Sequence, residues 1–491
     1  MRSAATAKSM FWATIEAGSV TVLALLGVIV LARLLGPAEF GLAALALAIV
    51  QILILFVEAP FTDAIVQRQN LESAHVVSAF WATCVIALIL IVGCVAAAGA
   101  IAEAFDDPRL SSATRWLALS VGFSALSSVP IAQLRRNMQF KQLALRSVLS
   151  RSMALAVAAG MAYNGFGVWS IVAQHIVATG MMATLLWTVG RPRGRYSASH
   201  LKDLAWVGAP IFAARFISIA AGRILNMMIG YYIGITALGY WNVATRVGET
   251  LTGLLAQAAG TVGLSVFARR QTELEVMQRG YYAAAQMSTL LSVPLFTGLI
   301  VVAEELVALV CGVQSLPADP LIQIIAFGSL LYLTLMFADV VFIAQGKPGW
   351  TLLVNILNTG LAVIAFLVLY DAGLVVVALA WIAIGFLTAP LKLKLIRKLI
   401  LIEPAAFARK VAQPFIAGSL MALLLVVLKL QLPLDWPVMP RLALLVSAGA
   451  LIYAVSIWIL APSLLQRCIS LGRTALIREP APLASDRSAN P

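Results

Sequence analysis

Charge is what this sequence has least of. Asp, Glu, Lys and Arg make up 11% of its 491 residues, against 62% hydrophobic. A soluble chain of this size carries about a quarter charged residues. So much apolar surface exceeds any core the chain can enclose, so lipid must solvate the remainder. Cysteine is scarce as well: Cys84, Cys94, Cys311 and Cys468 show neither disulfide nor metal spacing. His75, His175 and His200 are scattered, and no metal is expected. There is no Walker loop, hence no readable nucleotide site, and no nucleophile elbow. The pair Asp106-Asp107 before Pro108 reads as solvated loop acids rather than a sugar-nucleotide site. No segment between apolar runs is long enough to fold by itself. A polymerase or ligase of surface sugars would usually carry its chemistry on a long external loop. These absences argue against an enzyme and against a cofactor.

What is present is a series of long apolar runs. About 20 such residues cross a bilayer core of about 30 Å as a helix. Fourteen candidates lie near 10–32, 41–62, 78–102, 113–133, 148–164, 168–189, 207–232, 239–265, 285–311, 321–345, 351–370, 373–391, 413–431 and 441–462. None alternates polar with apolar, so helices are expected rather than a barrel. With the N-terminus in the cytoplasm, 26 of the 34 Lys and Arg fall on the cytoplasmic side. Five fall outside: Arg33, Arg109, Arg115, Lys429 and Arg441. That bias follows the positive-inside rule and favours fourteen spans with both termini cytoplasmic. The net charge of +13 is then a topology signal and a contact for anionic lipid, not a nucleic-acid footprint. The end of the chain, 466–491, is expected to be a disordered cytoplasmic tail, from its Pro, Ala and Ser content.

An internal repeat adds architecture. Leu34-Leu35-Gly36-Pro37-Ala38-Glu39-Phe40-Gly41 lies over Tyr232-Ile233-Gly234-Ile235-Thr236-Ala237-Leu238-Gly239 when the chain is shifted by 198 residues. Both copies place two glycines five apart between two apolar helices. The spacing predicts an all-α polytopic membrane protein with two parallel six-helix lobes around a central cavity. The lobes are 1–200 and 201–400, followed by two extra helices in 401–465. Parallel repeats with a site between them are a transporter plan.

Some charges stand where charge is costly. Near a bilayer centre each costs at least about 2.5–3.5 kcal/mol, so it faces a bundle interior or water. Arg215, Arg223 and Arg246 fall in the seventh and eighth runs. They suggest a cationic lining for an anionic substrate, because the guanidinium fork suits phosphate and stays charged. Arg215 is close enough to a helix end to snorkel. Arg246 and Glu249 are three apart and can instead pair with each other. Glu16, Glu58, Glu249 and Asp339 are candidates for charge balance or ion coupling.

The stretches "ARLLGPAEFGLAALALAI", "AIVQRQNL", "FDDPRL" and, in the second half, "HLKDLAWVGAP" with "IGYYIGITALGYWNVATRV" resemble the Wzx-type bacterial polysaccharide exporters. That resemblance implies two six-helix lobes working by alternating access in the bacterial inner membrane. It implies as cargo an oligosaccharide repeat unit on undecaprenyl pyrophosphate, as in succinoglycan, lipopolysaccharide or colanic-acid export. A polysaccharide polymerase and a chain-length regulator are the partners it implies, beside membrane lipids. Arg246 lies inside the family-like "GYWNVATRV". Relatives often carry an acid shortly before the position of Ile229-Gly230, whereas here Arg223-Ile224-Leu225-Asn226-Met227-Met228 has none. The same fold with another cargo, a peptidoglycan lipid precursor or a drug, is the alternative. A cationic cavity disfavours cationic drugs.

Overall fold

The structure is a computed structural model and describes residues 2–187, 194–269, 274–433 and 435–462. The expected tail at 466–491 lies outside the described residues. Among those described, every regular element is helical: α1 (Arg2–Gln67), α2 (Ser73–Ala104), α3 (Arg109–Arg136), α4 (Phe140–Tyr163), α5 (Val168–Trp187), α6 (Ala198–Tyr232), α7 (Ile235–Arg269), α8 (Leu274–Val310), α9 (Asp319–Leu335), α10 (Phe337–Ala344), α11 (Pro348–Leu369), α12 (Leu374–Ile400), α13 (Pro404–Gln431) and α14 (Val438–Leu460). Eleven stretches among the described residues are long and apolar enough to cross a membrane.

The partition differs from the sequence expectation in two places. The first two apolar runs share α1, whose 66 residues would reach about 100 Å if straight, over three times a bilayer core. The helix breaks at Gly36, which has φ 77° and ψ 168°. A single glycine makes the turn because it tolerates positive φ, so no loop residues are needed. The tenth run divides into α9 and α10, on either side of Met336.

Helices α1 to α5 pack on one another, as do α8, α9 and α11 to α14. Between them, α6 lies mainly against α1, while α7 touches α1, α8 and α9. Two ends of the bundle can be told apart. At the hairpin end sit the Gly36 turn, the α2–α3 and α4–α5 connections and the α6–α7 turn at Gly234, also at positive φ. The Glu39 carboxylate ties three of these together. It accepts from the Arg109 guanidinium at 2.6 Å and from the Val168 backbone N–H at 2.7 Å. Arg109 also pairs with Asp107 at 2.9 Å, so this acid is a latch component rather than a solvated loop residue. Partial burial opposes ionisation of Asp107, but hydrogen bonds and charge from Arg109 outweigh it and hold its pKa below the usual 3.8.

The two glycine hairpins meet at this end. A Cβ on Gly41 would collide with the Ile235 carbonyl oxygen, and one on Gly239 with the Pro37 carbonyl oxygen. The contact is reciprocal: each copy of the repeat lays its second glycine on the backbone just after the other copy's first glycine.

The opposite end carries the basic connections. The Arg136 guanidinium donates to the carbonyls of Ile65, Val66, Arg68 and Gln69, four acceptors left open where α1 stops. Across the α1–α6 seam, Arg215 pairs with Asp63 at 3.1 Å and Arg68 with Asp203 at 3.5 Å. Phe56 packs edge-on against Phe216, with Phe212 beside both. Far from that seam, buried Glu305 on α8 pairs with Lys429 at 2.9 Å and Arg441 at 3.2 Å, fastening α13 and α14 to the bundle.

Candidate functional site

Three arginines from three helices line one cavity of about 390 Å³: Arg151 of α4, Arg223 of α6 and Arg246 of α7. Counted from the hairpin end of its helix, each stands 9 to 12 residues in, or about 13–18 Å. That is half the thickness of a bilayer core, the depth at which charge is most costly. None of the three forms an ion pair among the described residues. Their charges act on one another: Arg246 lies within electrostatic reach of both Arg151 and Arg223. Glu16 acts on Arg151 and Glu249 on Arg223, so three cations are set against two acids, and the remaining like-charge repulsion is a cost that an anion entering the cavity would offset.

The rest of the wall supplies neutral hydrogen-bonding groups. Gln51, Gln174, His175 and Asn242 reach the cavity, between apolar surface from α1 and α5. The Gln51 Oε1 and His175 Nε2 atoms are buried and have no hydrogen-bond partner among the described residues. Such groups normally find partners in a folded protein. Here they leave hydrogen-bonding capacity facing the cavity.

The sequence-selected residues divide into those the structure gathers and those it separates. Arg223 and Arg246 are in the cavity. Arg215 is not among its lining residues. It stands 17 residues from the hairpin end of α6, about 25 Å, which puts it at the basic end beside Asp63. Arg246 and Glu249 do not pair; Glu249 faces a second, larger cavity and acts on Arg223. Glu16 lies near Arg135 and Arg151. Glu58 lies near Arg215 and the Ser124 hydroxyl. Asp339 is held by Lys392 at 2.7 Å.

Sequence reading missed Arg151, Gln174 and His175. Arg151 stands at the start of its apolar run, where its charge counts with the basic connection before it. The signal that singles it out is its place about three turns inside a helix, readable only once α4 is seen to begin at Phe140.

Comparison with known proteins gives a family, relatives and a likeness of fold. The profile of a family described as "Polysaccharide biosynthesis protein" matches residues 30–320. The succinoglycan biosynthesis transport protein ExoT of Rhizobium meliloti (strain 1021) is 26% identical over 385 residues, 77% of each chain. The teichuronic acid biosynthesis protein TuaB of Bacillus subtilis (strain 168) is 22% identical over 402 residues, covering 80% of this chain and 83% of TuaB. Among solved structures, the lipid II flippase MurJ in an inward closed conformation superposes with a TM-score of 0.79. That match covers 93% of this chain and all of MurJ at 15% identity, so it is a likeness of fold.

Proposed function

The chain belongs to the polysaccharide biosynthesis protein family and is a multi-pass inner-membrane protein, and on that premise we propose that it is a Wzx-type flippase. Its cargo is an oligosaccharide repeat unit linked to undecaprenyl pyrophosphate, moved from the cytoplasmic to the outer leaflet for exopolysaccharide or lipopolysaccharide synthesis. The observation that carries this reading is the convergence of Arg151, Arg223 and Arg246 on one mid-membrane cavity, none of them in an ion pair among the described residues and only two acids, Glu16 and Glu249, within electrostatic reach. A diphosphate offers oxygens to several guanidiniums at once and supplies the missing negative charge. The basic end faces the cytoplasm, in keeping with the distribution of Lys and Arg. The polypeptide crosses fourteen times with both termini inside, and 1–200 and 201–400 act as two lobes, with 401–465 an appendage of the second.

Alternating access then requires the lobes to part at one end while closed at the other. The cavity faces from α1, α4 and α5 belong to one lobe and those from α6 and α7 to the other, so cargo is gripped from both sides. Arg223, Arg246 and Arg151 hold the diphosphate. Arg215 serves the seam, through Asp63, rather than the cargo. Glu249 and Asp339 balance cations in the second lobe, and Glu16 does so beside Arg151. The chemistry is binding and release with no covalent step, so the protein acts as a carrier and not an enzyme.

The test is polymer export in a strain lacking its own flippase. Arg223→Ala with Arg246→Ala, at wild-type protein level, should reduce output at least about a hundredfold, two charge-assisted contacts of about 1.5–3 kcal/mol each. Lipid-linked repeat units should accumulate on the inner leaflet. Normal output from the double variant removes the cationic cavity from the mechanism. Accumulation of units already flipped but unjoined would place the protein in polymerisation instead.

A further inference from the structure

We propose that the second cavity, between α7, α9, α11 and α12, is a carbohydrate subsite that reads the sugar attached to the diphosphate; this rests on the flippase reading above. The cavity encloses about 600 Å³. That volume suits an oligosaccharide segment better than a single ion, and it falls in the range of small-molecule sites.

Helix α7 is the wall the two cavities share. Asn242 and Arg246, four apart, face the cationic cavity. Thr245, Glu249 and Thr252 lie along the neighbouring face and line the second cavity. A diphosphate held by Arg223 and Arg246 therefore has this space beside it, on the far side of one helix face.

The lining has the composition a neutral polyol needs. Trp381 and Tyr332 present aromatic surface, on whose electron-rich faces the C–H edge of a sugar ring can rest. Between them stand hydrogen-bonding groups with unused capacity. Glu249 forms no ion pair among the described residues. The Thr252 hydroxyl is buried there without a partner. The Thr388 hydroxyl donates to Asn358 Oδ1 at 2.6 Å, which fixes the amide and leaves its Nδ2 donor for a ligand. A carboxylate, a hydroxyl and an amide offer acceptors and donors together, the mixture that adjacent sugar hydroxyls pair with.

Two other occupants fit less well. A polyprenyl chain has nothing to offer Glu249, Thr252 or Asn358, and would leave them buried without water or partner. A lipophilic cation would be drawn by Glu249, but that charge is already offset. Arg223 lies within its electrostatic reach, and Lys392, which also lines the cavity, is countered by Asp339. With charges balanced in this way, the cavity favours a neutral ligand.

The experiment uses the full chain in lipid nanodiscs and measures binding of two kinds of probe. One is farnesyl diphosphate, which has the anion and no sugar. The other is a panel of farnesyl-diphospho-sugars carrying glucose, galactose or N-acetylglucosamine. At least one of the panel should bind about tenfold or more tighter than farnesyl diphosphate. Asn358→Ala should abolish most of that gain and leave farnesyl diphosphate affinity unchanged; Glu249→Gln should also abolish most of the gain, while tightening farnesyl diphosphate itself because the charge of Arg223 is no longer offset. Arg246→Ala should weaken all the probes. If no probe binds in an Arg246-dependent way, the diphosphate reading itself falls. If Arg246-dependent binding is seen but no sugar adds affinity, or adds as much in the Glu249 and Asn358 variants as in wild type, the carbohydrate subsite alone falls. Tetraphenylphosphonium binding that depends on Glu249 and competes with the sugar probes would assign the cavity to lipophilic cations and overturn the proposal.

Discussion

The two ends of the α1 seam are closed by different physics. At the hairpin end, α1 and α7 meet backbone to backbone, with Gly41 against the Ile235 carbonyl and Gly239 against the Pro37 carbonyl. At the basic end, α1 and α6 meet through side chains: the Asp63–Arg215 and Arg68–Asp203 ion pairs and the Phe56, Phe212 and Phe216 rings. One backbone contact of the first kind is also present there, Gly208 against the Pro60 carbonyl, so the basic end differs in what surrounds the glycine: ion pairs and rings instead of a second, reciprocal glycine. A glycine contact is all or none, because one methyl group removes it. A contact of ion pairs and rings can loosen by degrees and responds to salt. In a transporter, the first kind suits a pivot or a tight seal and the second a gate that must yield.

The comparison is broken most directly at the glycines. Gly41→Ala or Gly239→Ala inserts a methyl group into opposing backbone, which has no rotamer with which to escape. Overpacking costs about 1–3 kcal/mol even where side chains can shift. Either variant should cut polymer export at least about tenfold at wild-type protein level. The double variant should be little worse than either single one, since both open the same contact. Wild-type output from either single variant would mean that the hairpins need not touch during the cycle.

Next in size is the Glu39 latch at the same end. Glu39→Ala strands the Val168 N–H and leaves Arg109 with Asp107 alone, and should cost about 1–3 kcal/mol. The measurement is thermal unfolding in detergent; an unchanged midpoint would show that these contacts are replaced by water.

Smaller still is the ion pair at the basic end. Asp63 and Arg215 are partly exposed, with side chains 29% and 42% accessible, so screening limits the pair to about 1 kcal/mol or less. Asp63→Asn should change export less than threefold, and the change should shrink as salt is raised. A loss matching that of Gly41→Ala would erase the distinction between the ends.

The smallest effect is one of pH. Because the folded-state pKa of Asp107 is depressed, its contribution is complete above about 3.8 and is lost as pH falls through the lower folded value. The stability difference between wild type and Asp107→Asn should therefore be constant at neutral pH and vanish in acid. A difference that persists in acid would assign the effect to packing.

Much of this was legible in the residues. Apolar runs mark where the chain is helical, because a bilayer leaves backbone groups no other partners. The repeated pair of glycines marks the two hairpins, and the depth of Arg223 and Arg246 marks the cavity. What sequence does not carry is adjacency across long separations. Asp63 and Arg215 are 152 positions apart, so the sequence shows the charge of Arg215 but not the acid it pairs with. Arg151 was hidden for the converse reason: basic neighbours in sequence masked a position that α4 turns into the bundle. The contacts of Glu39 with Arg109 and with the Val168 N–H likewise join three segments that no periodicity connects.

The crossing of Gly41 and Gly239 also orders events in time. The two residues are 198 positions apart, and a ribosome adds about 5–20 residues each second. The first hairpin therefore waits roughly 10–40 s in the membrane before its counterpart has been made. During that interval Gly41 lacks the Ile235 backbone that covers it in the finished fold, and completion of the second hairpin supplies it.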